Sequence, residues 1–520
     1  MRTGTVDRTK PTRRGLAGLA VGLLTAGALI GLTGSASAAT CDPETSSRGD
    51  LDGDGRTDVV VGLPRLNESV GGVDVRYTGR ASLLLKPDLM HSAASEGSRF
   101  GGALAVGDLD GDGCADLVIG ADNQGPLDEA TQSPGLVHIL FGSPTGLLLD
   151  DAVTITHPKF NTQYNDEFGS SLAVVQRRSG TTVDPDVHDL YVGAPGLEVG
   201  GLRGAGGVYH YTITAGGADR VTVTPNEMRS QDSPGVPGAA EKGDRFGEEL
   251  AGAEYGGGVV ASAPMEDVGE ATNAGAVWYL GTKDDGTPGA AATFSQDSAG
   301  VPGKAETGDH FGSAVSIRGS LLVVGIPDEN DGATKDSGAV QLFTQDFTTR
   351  KWTVRRSISQ DSPGIPGAVE AGDRFGAAVQ ATYALECQEF TDMAIGAPGE
   401  DVGSRKDAGT ITVVPYDLKS GCTARSLRQG SGLNGATEAG DGVGGVLGVT
   451  YGRTDLEEDY SDRLLIGVPF EDVGAQPDAG LVQSDGPAIT VNGQALTTLT
   501  LSTGFVGSQD YGMVVGRAFD

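Results

Sequence analysis

One apolar run, closed by Gly-x-Pro, returns along the chain at a near-constant interval. It stands at residues 59–64 (VVVGLP), 190–195 (LYVGAP), 259–264 (VVASAP, with Ser262 for glycine), 322–327 (LVVGIP), 393–398 (MAIGAP) and 464–469 (LLIGVP). Residues 117–122 (LVIGAD) are a seventh copy, with Asp122 in place of proline. The runs end at 64, 122, 195, 264, 327, 398 and 469, so they lie 58, 73, 69, 63, 71 and 71 residues apart. A repeat of this size predicts like units stacked on one another, each unable to bury its apolar face alone.

A second signature precedes most of these runs: Phe100-Gly101, Phe168-Gly169, Phe246-Gly247, Phe311-Gly312 and Phe375-Gly376, with a degraded copy at Val443-Gly444. The first run lacks one, and the missing copy stands at the other end of the chain, as Asp510-Tyr511-Gly512 followed by Met513-Val514-Val515. In a closed ring the C-terminal strand would complete the first unit and remove the open sheet edge. An open solenoid would instead show atypical capping units at both ends.

Within each unit a further strand opens on glycine, as in residues 135–141 (GLVHILF), 206–211, 275–280 and 338–343, and a less regular fourth follows, as at 221–224. Glycine fits that reading: 84 of 520 residues is about 16%, against roughly 7% in ordinary proteins. With 5% aromatics and no G-X-Y period, this is many short strands and turns rather than collagen. The expected fold is all-β, a seven-bladed β-propeller closed by its C-terminal strand. The domains are residues 1–38, a signal peptide, and 39–520, the propeller. Its blades fall at approximately 43–97 plus 508–520, 98–165, 166–243, 244–308, 309–372, 373–440 and 441–507.

The paired signatures resemble the FG-GAP repeat, and the chain resembles the seven-bladed propeller of integrin α subunits over residues 41–520. Val443, Asp122 and Ser262 depart from the pattern, and no leg domains, inserted ligand-binding domain or membrane helix are read after the repeats. The resemblance implies a free-standing, secreted, bacterial-type relative.

Two loops carry the sharpest chemistry. Asp50, Asp52, Asp54 and Asp58 follow D-x-D-x-D-G-x-x-D, and Asp108, Asp110, Asp112 and Asp116 repeat it in the second unit. Alternate carboxylates of a tight loop point inward, and glycine permits the turn. The expected ligands are the side chains at positions 1, 3, 5 and 9 and the carbonyl at position 7, that of Arg56 or Cys114. Hard oxygens with net negative charge suit Ca²⁺ at roughly 2.3–2.6 Å. The twelfth residue is Val61 or Ile119, so neither loop is an EF-hand. In the resembled family such loops bind calcium between two strands of a blade. Asp184-Pro185-Asp186 before Asp189 is a remnant, and only a closing acidic residue survives at Asp392 and Asp462. Two structural calcium sites are expected.

Arg2, Arg8, Lys10, Arg13 and Arg14 precede an apolar stretch over 16–32, and Ala36-Ser37-Ala38 offers a cleavage site after Ala38. Sec and Tat export both remain open. Losing this segment removes five basic residues and Asp7, which takes the net charge from −33 to −37. Such a surface repels nucleic acid and anionic membrane. In an oxidising compartment Cys41, Cys114, Cys387 and Cys422 allow two disulfides in three connectivities, and Cys41–Cys114 with Cys387–Cys422 is favoured because each pair falls in neighbouring units. The mature chain is expected as an extracellular monomer without a membrane span, binding an extracellular protein or polysaccharide.

Two features invite narrower readings. Arg48-Gly49-Asp50 spells RGD, but Asp50 is the first expected calcium ligand. The loop Ser230-Gln231-Asp232-Ser233-Pro234-Gly235-Val236-Pro237-Gly238 recurs at 295–303 and 359–367, with an echo at 429–435, and is linked to Glu266-Asp267, Glu400-Asp401 and Glu471-Asp472. Repetition at equivalent places argues for turn chemistry or a multivalent rim rather than catalysis. Six scattered histidines without ligand spacing, and no G-x-S-x-G elbow, leave a rim or channel hydrolase or lyase as the alternative to a binding or adhesion module. His310 holds the place of Arg245 and Arg374 and is read as a surface substitution.

Overall fold

The computed structural model describes residue 41 and residues 49–518, apart from 91–95, 125–133, 159–164, 180–181, 217–219, 254–256, 384–390, 419–421, 452–461, 473–479, 485–488, 492–493, 497, 501–513 and 516. The chain divides into two units, 1–38 and 39–520. The first, with the expected signal peptide, lies outside the described residues; the second holds the fold.

Among the described residues the second unit forms seven antiparallel blades in chain order, a seven-bladed all-β propeller. The third blade is representative: Leu172–Ser179, Thr182–Ala194, Gly207–Ala215 and Val221–Arg229 form one meander. Each Gly-x-Pro run is a blade's second strand and is buried along its length, as Leu321–Ile326 and Asp116–Ala121 are. A strand covered on both faces reads as a continuous apolar run. One helical turn, Leu66–Ser69, and one 3-10 turn, Pro87–Met90, interrupt the first blade. A small hairpin, Ile489–Val491 with Gln494–Leu496, lies between the third and fourth strands of the last.

The repeated glycines explain how blades meet. The aromatic's backbone N–H donates to the preceding blade: Phe168 to Pro134 O (2.9 Å), Phe246 to Ala205 O (3.0 Å), Phe375 to Ser337 O (3.0 Å). The next N–H, of the paired glycine, donates within its own blade, Gly169 to Gly193 O and Gly376 to Gly396 O, both 2.9 Å. That pair sits so close to the preceding Gly-x-Pro strand that side chains do not fit. A Cβ on Gly120, Gly193, Gly325 or Gly396 would lie 2.0, 2.2, 2.0 or 1.8 Å from the carbonyl of Gly169, Gly247, Gly376 or Gly444. Ser262 stands at the degenerate copy, where its hydroxyl accepts the Glu249 N–H at 3.1 Å. The five phenylalanines are fully buried, and Val443 is 1% exposed in the same role, its N–H donating to Ala408 O. Phe246 packs with Ala173 and Val208 of the third blade and Leu250 and Trp278 of the fourth.

The ring closes at its ends. Val514–Val515 pairs antiparallel with Val59–Gly62, matching Val515 to Val61 and Val514 to Gly62, and so supplies the first blade's inner strand. The Asp510-Tyr511-Gly512 signature lies outside the described residues. Arg517–Ala518 then pairs parallel with Ala103–Gly107 of the second blade.

The seam gives a direct test. Gly396→Ala places a methyl against the Gly444 carbonyl and is expected to cost about 3 kcal/mol, read by denaturant unfolding. Gly403→Ala, at a positive φ with nothing within 4 Å, is expected to cost only about 1 kcal/mol. Equal costs would show that the seam is not the constraint.

Candidate functional site

The second aspartate loop connects its blade's first strand to its second, and the first loop leads into the second strand of its own blade, so both stand at the start of a second strand, on one face of the ring. In each, the residue after the first aspartate is a fully buried leucine, Leu51 or Leu109, which pins the loop to the core. The turn is held by the carboxylates themselves. Asp50 accepts the N–H groups of Gly55 (2.7 Å), Asp54 (3.1 Å) and Asp52 (3.3 Å). Asp58 accepts those of Leu51 and Thr78, each at 2.9 Å. In the second loop Asp108 accepts Gly111 (2.9 Å) and Gly113 (3.0 Å), while Asp116 accepts Leu109 (2.7 Å) and Gly142 (2.8 Å). The glycines of the motif adopt positive φ: Gly53 +67°, Gly55 +84°, Gly111 +73° and Gly113 +91°.

The structure brings together positions 1, 3 and 9. One carboxylate oxygen from each of Asp50, Asp52 and Asp58 lies within 4.8 Å of the others, and Asp108, Asp110 and Asp116 do the same. Position 5 stands outside both groups. Asp54 accepts the Arg56 N–H at 2.9 Å and the Thr78 hydroxyl at 3.1 Å, and Asp112 accepts the Cys114 N–H at 2.9 Å. Burial, then the neighbouring aspartates, pushes Asp50 up to about 6 and Asp58 up to about 8 against opposing backbone hydrogen bonds. The same balance puts Asp108 at about 6 and Asp116 well above the carboxylate range. Clustered, dehydrated carboxylates of this kind hold a positive charge strongly.

Three partners were not visible in the motif. Arg80 Nε lies 2.9 Å from Asp52 Oδ2, and Arg220, from the third blade, places Nη1 2.6 Å from Asp110 Oδ2 and 3.4 Å from Asp112 Oδ2. Each loop thus meets an arginine at its third position. Thr78 adds the hydroxyl already noted. In the third blade Asp189 keeps the closing acidic place, with Arg177 Nε 3.1 Å and His210 Nε2 2.7 Å from its carboxylate. Burial would raise Asp189, but hydrogen bonds from His210 and Arg177 outweigh it and hold it low. Here a guanidinium and an imidazole both face the closing carboxylate.

The two loops are joined. Ala115 N–H donates to Asp50 O at 2.8 Å, and Ser143 N–H to Leu51 O at 3.2 Å. The Cys41–Cys114 disulfide bridges 73 residues and lies against the first loop: a Cβ on Gly53 would be 3.1 Å from Cys41 Sγ and 3.3 Å from Cys114 Sγ. With both sulfurs in the bridge, Cys41, Asp112 and Cys114 offer no thiolate site. Cys422 is also disulfide-bonded; Cys387 lies outside the described residues. Asp50 is fully buried, so the RGD triplet does not present its carboxylate, and Arg48 lies outside the described residues. His310 is a half-buried link rather than a plain surface substitution, its Nδ1 2.7 Å from Asp328 Oδ2, which Arg374 also approaches.

Two outcomes follow. The folded-state pKa values of Asp50, Asp58 and Asp108 are raised, so in chelator their contribution is full below about pH 4 and is lost as pH rises through about 6 to 8. Metal-free protein is expected to melt higher at pH 5 than at pH 8; the reverse order would contradict the burial of these groups. Cys41→Ser with Cys114→Ser is expected to lower stability by about 2–5 kcal/mol, and hydrogen exchange should quicken in both loops. Faster exchange in the second loop alone would contradict their coupling.

Models of the FG-GAP repeat match residues 100–140 and 295–343, and a model of the FG-GAP-like repeat matches residues 50–119. Integrin alpha-PS5 of Drosophila melanogaster is 32% identical over 155 residues, covering 29% of this chain and 14% of that protein. Integrin alpha-PS2 of the same fly is 33% identical over 164 residues, covering 31% and 11%. Human integrin alpha-IIb is 33% identical over 158 residues, covering 28% and 14%. The match thus spans about a seventh of these relatives or less. Repeats, relatives and seven closed blades agree: the chain is an integrin-α-like FG-GAP propeller.

Proposed function

We propose that this is an exported, calcium-stabilised propeller that serves as a binding or adhesion module for an extracellular protein or polysaccharide. Calcium rests on one observation above the rest: in both motif loops the carboxylates at positions 1, 3 and 9 converge within 4.8 Å. The donors fit the ion. They are oxygens alone, they carry net negative charge, and Asp52 Oδ1 is buried without a hydrogen-bond donor. The carbonyls of Arg56 and Cys114 complete the set read from the motif, together with Asp54 and Asp112. Bound calcium would tie three stretches of a loop to one centre and stabilise the fold in proportion to its occupancy.

Export rests on the basic, apolar and small-residue segments before residue 39, and on disulfide use. Among the described residues no helix is long and apolar enough to cross a membrane. Binding rests on the ring itself, whose opposite face gathers the loops between successive blades. Acidic pairs there repeat at equivalent places, the pattern of a many-pointed contact rather than of one reaction centre.

The test is thermal unfolding of the full chain with calcium and after chelation, with bound metal counted. The expected result is a fall of about 5 °C on chelation and the loss of one ion each in Asp52→Asn and Asp110→Asn, since each site filled a hundredfold above Kd adds about 2.7 kcal/mol. No bound calcium and no shift would make both loops bare turns.

A further inference from the structure

One covalent bridge touches both aspartate loops. Cys114 stands at position 7 of the second loop, and its N–H donates to Asp112 at 2.9 Å. Its sulfur and that of Cys41 rest against position 4 of the first loop. A Cβ on Gly53 would stand 3.1 Å from Cys41 Sγ, 3.3 Å from Cys114 Sγ and 3.4 Å from Cys41 Cα. Gly53 lies between Asp52 and Asp54 and turns the chain there at φ +67°. One carboxylate oxygen of Asp112 lies within 4.8 Å of both sulfurs. The bridge is therefore wedged between the turn that sets Asp52 and the turn that sets Asp112, in neighbouring blades.

The packing is as close on the far side of Cys114. A Cβ on Gly142 would stand 2.2 Å from Ala115 O, 2.9 Å from Cys114 Cβ and 3.0 Å from Leu51 O. Gly142 is also the residue whose N–H donates to Asp116 at 2.8 Å. Cys114 cannot shift here without disturbing a residue of either loop. Before Asp50 the chain is held by the Asp58 N–H, which donates to Gly49 O at 2.9 Å, and by the bridge at Cys41. Opening the bridge removes the second of these ties and frees the entry to the first loop.

We propose that the Cys41–Cys114 bridge is a redox control on both aspartate loops, the closed bridge and the filled loops each favouring the other. This rests on the calcium reading given above. Reduction by a dithiol adds two electrons and two protons to the bridge and leaves two thiols, while the dithiol closes to its own cyclic disulfide. Cys41 is the more exposed partner and Cys114 is fully buried, so the dithiol enters at Cys41. With the sulfurs parted, Gly53 loses its backing and Cys114 its anchor, and ordering the oxygens then weakens binding. The coupling is reciprocal: the factor that the bridge adds to calcium affinity, calcium adds to the bridge's resistance to reduction. A tenfold factor is about 30 mV in this two-electron couple. A chain in a reducing compartment thus holds calcium weakly, and an oxidising one completes bridge and sites together.

The test is a redox titration of the full chain carrying Cys387→Ser and Cys422→Ser, which leaves one bridge among the four cysteines. The protein is equilibrated in mixtures of reduced and oxidised dithiothreitol, with calcium or with chelator. Free thiols are counted by alkylation, and near-ultraviolet circular dichroism follows the fold. Calcium is expected to raise the dithiol-to-disulfide ratio at the midpoint by about tenfold, and adding Asp52→Asn with Asp110→Asn should remove that shift. Equilibrium dialysis should give two ions for the oxidised chain, each bound about tenfold more weakly in Cys41→Ser with Cys114→Ser. Two ions bound with an unmoved midpoint would overturn the redox control and leave the calcium reading standing. A chain that binds no ion would remove both. Weakening confined to one loop, a shift that survives Asp52→Asn with Asp110→Asn, or reduction that erases the dichroism signal would also overturn the proposal, the last by tracing protection to global unfolding.

Discussion

The approach of one blade's carbonyl to the next blade's glycine is what the ring depends on. Where Gly444 O would sit 1.8 Å from a Cβ on Gly396, no side chain is admitted, and the same holds at Gly120, Gly193 and Gly325. That intimacy lets the aromatic N–H of each blade bond to the blade before it, so neighbouring sheets share backbone hydrogen bonds as well as side-chain packing. Glycine weakens a strand elsewhere. Here its bareness is the joint, and the buried phenylalanine beside it supplies the apolar area. Closure by Val514–Val515 repeats the logic at the ends, covering the inner edge of Val59–Gly62.

A fixed ring settles where chemistry can stand. The loop from first to second strand is anchored by a buried leucine and closed by its own aspartates, so the carboxylates converge whether or not the rest of the blade varies. Charge of that density needs an answer. Two blades present three converging carboxylates each. The third sets Arg177 and His210 around Asp189. Arg80 and Arg220 place the same device at the edge of each cage, which tempers repulsion while leaving the convergent oxygens inside.

Period and turn chemistry were legible from residue order because they are local: glycine positions, apolar runs and aspartate spacing each act within a few residues. The offset of the signatures even foretold the closing strand. What was not legible came from across the ring. Arg220 meets Asp110 at a separation of 110 residues, and no pattern marks it. Thr78 and Arg80 follow a strand with no motif of their own. Position 5 is read as a side-chain ligand from the motif alone; Asp54 and Asp112 each turn one oxygen to the N–H two residues on and stand outside the groups formed by positions 1, 3 and 9. Glu329 carries no Glu-Asp signature because asparagine follows it, yet it holds the same place, two residues beyond the run, and accepts from Gln296 as Glu266 does from Gln231.

The most direct measurement is anomalous diffraction from crystals of the full chain grown in calcium. The expected result is one peak inside each aspartate loop, ringed by Asp50, Asp52 and Asp58 or by Asp108, Asp110 and Asp116 at roughly 2.3–2.6 Å, with the carbonyl of Arg56 or Cys114 in the shell. Loops without a peak, or with the Arg80 and Arg220 guanidinium groups at their centres, would contradict it.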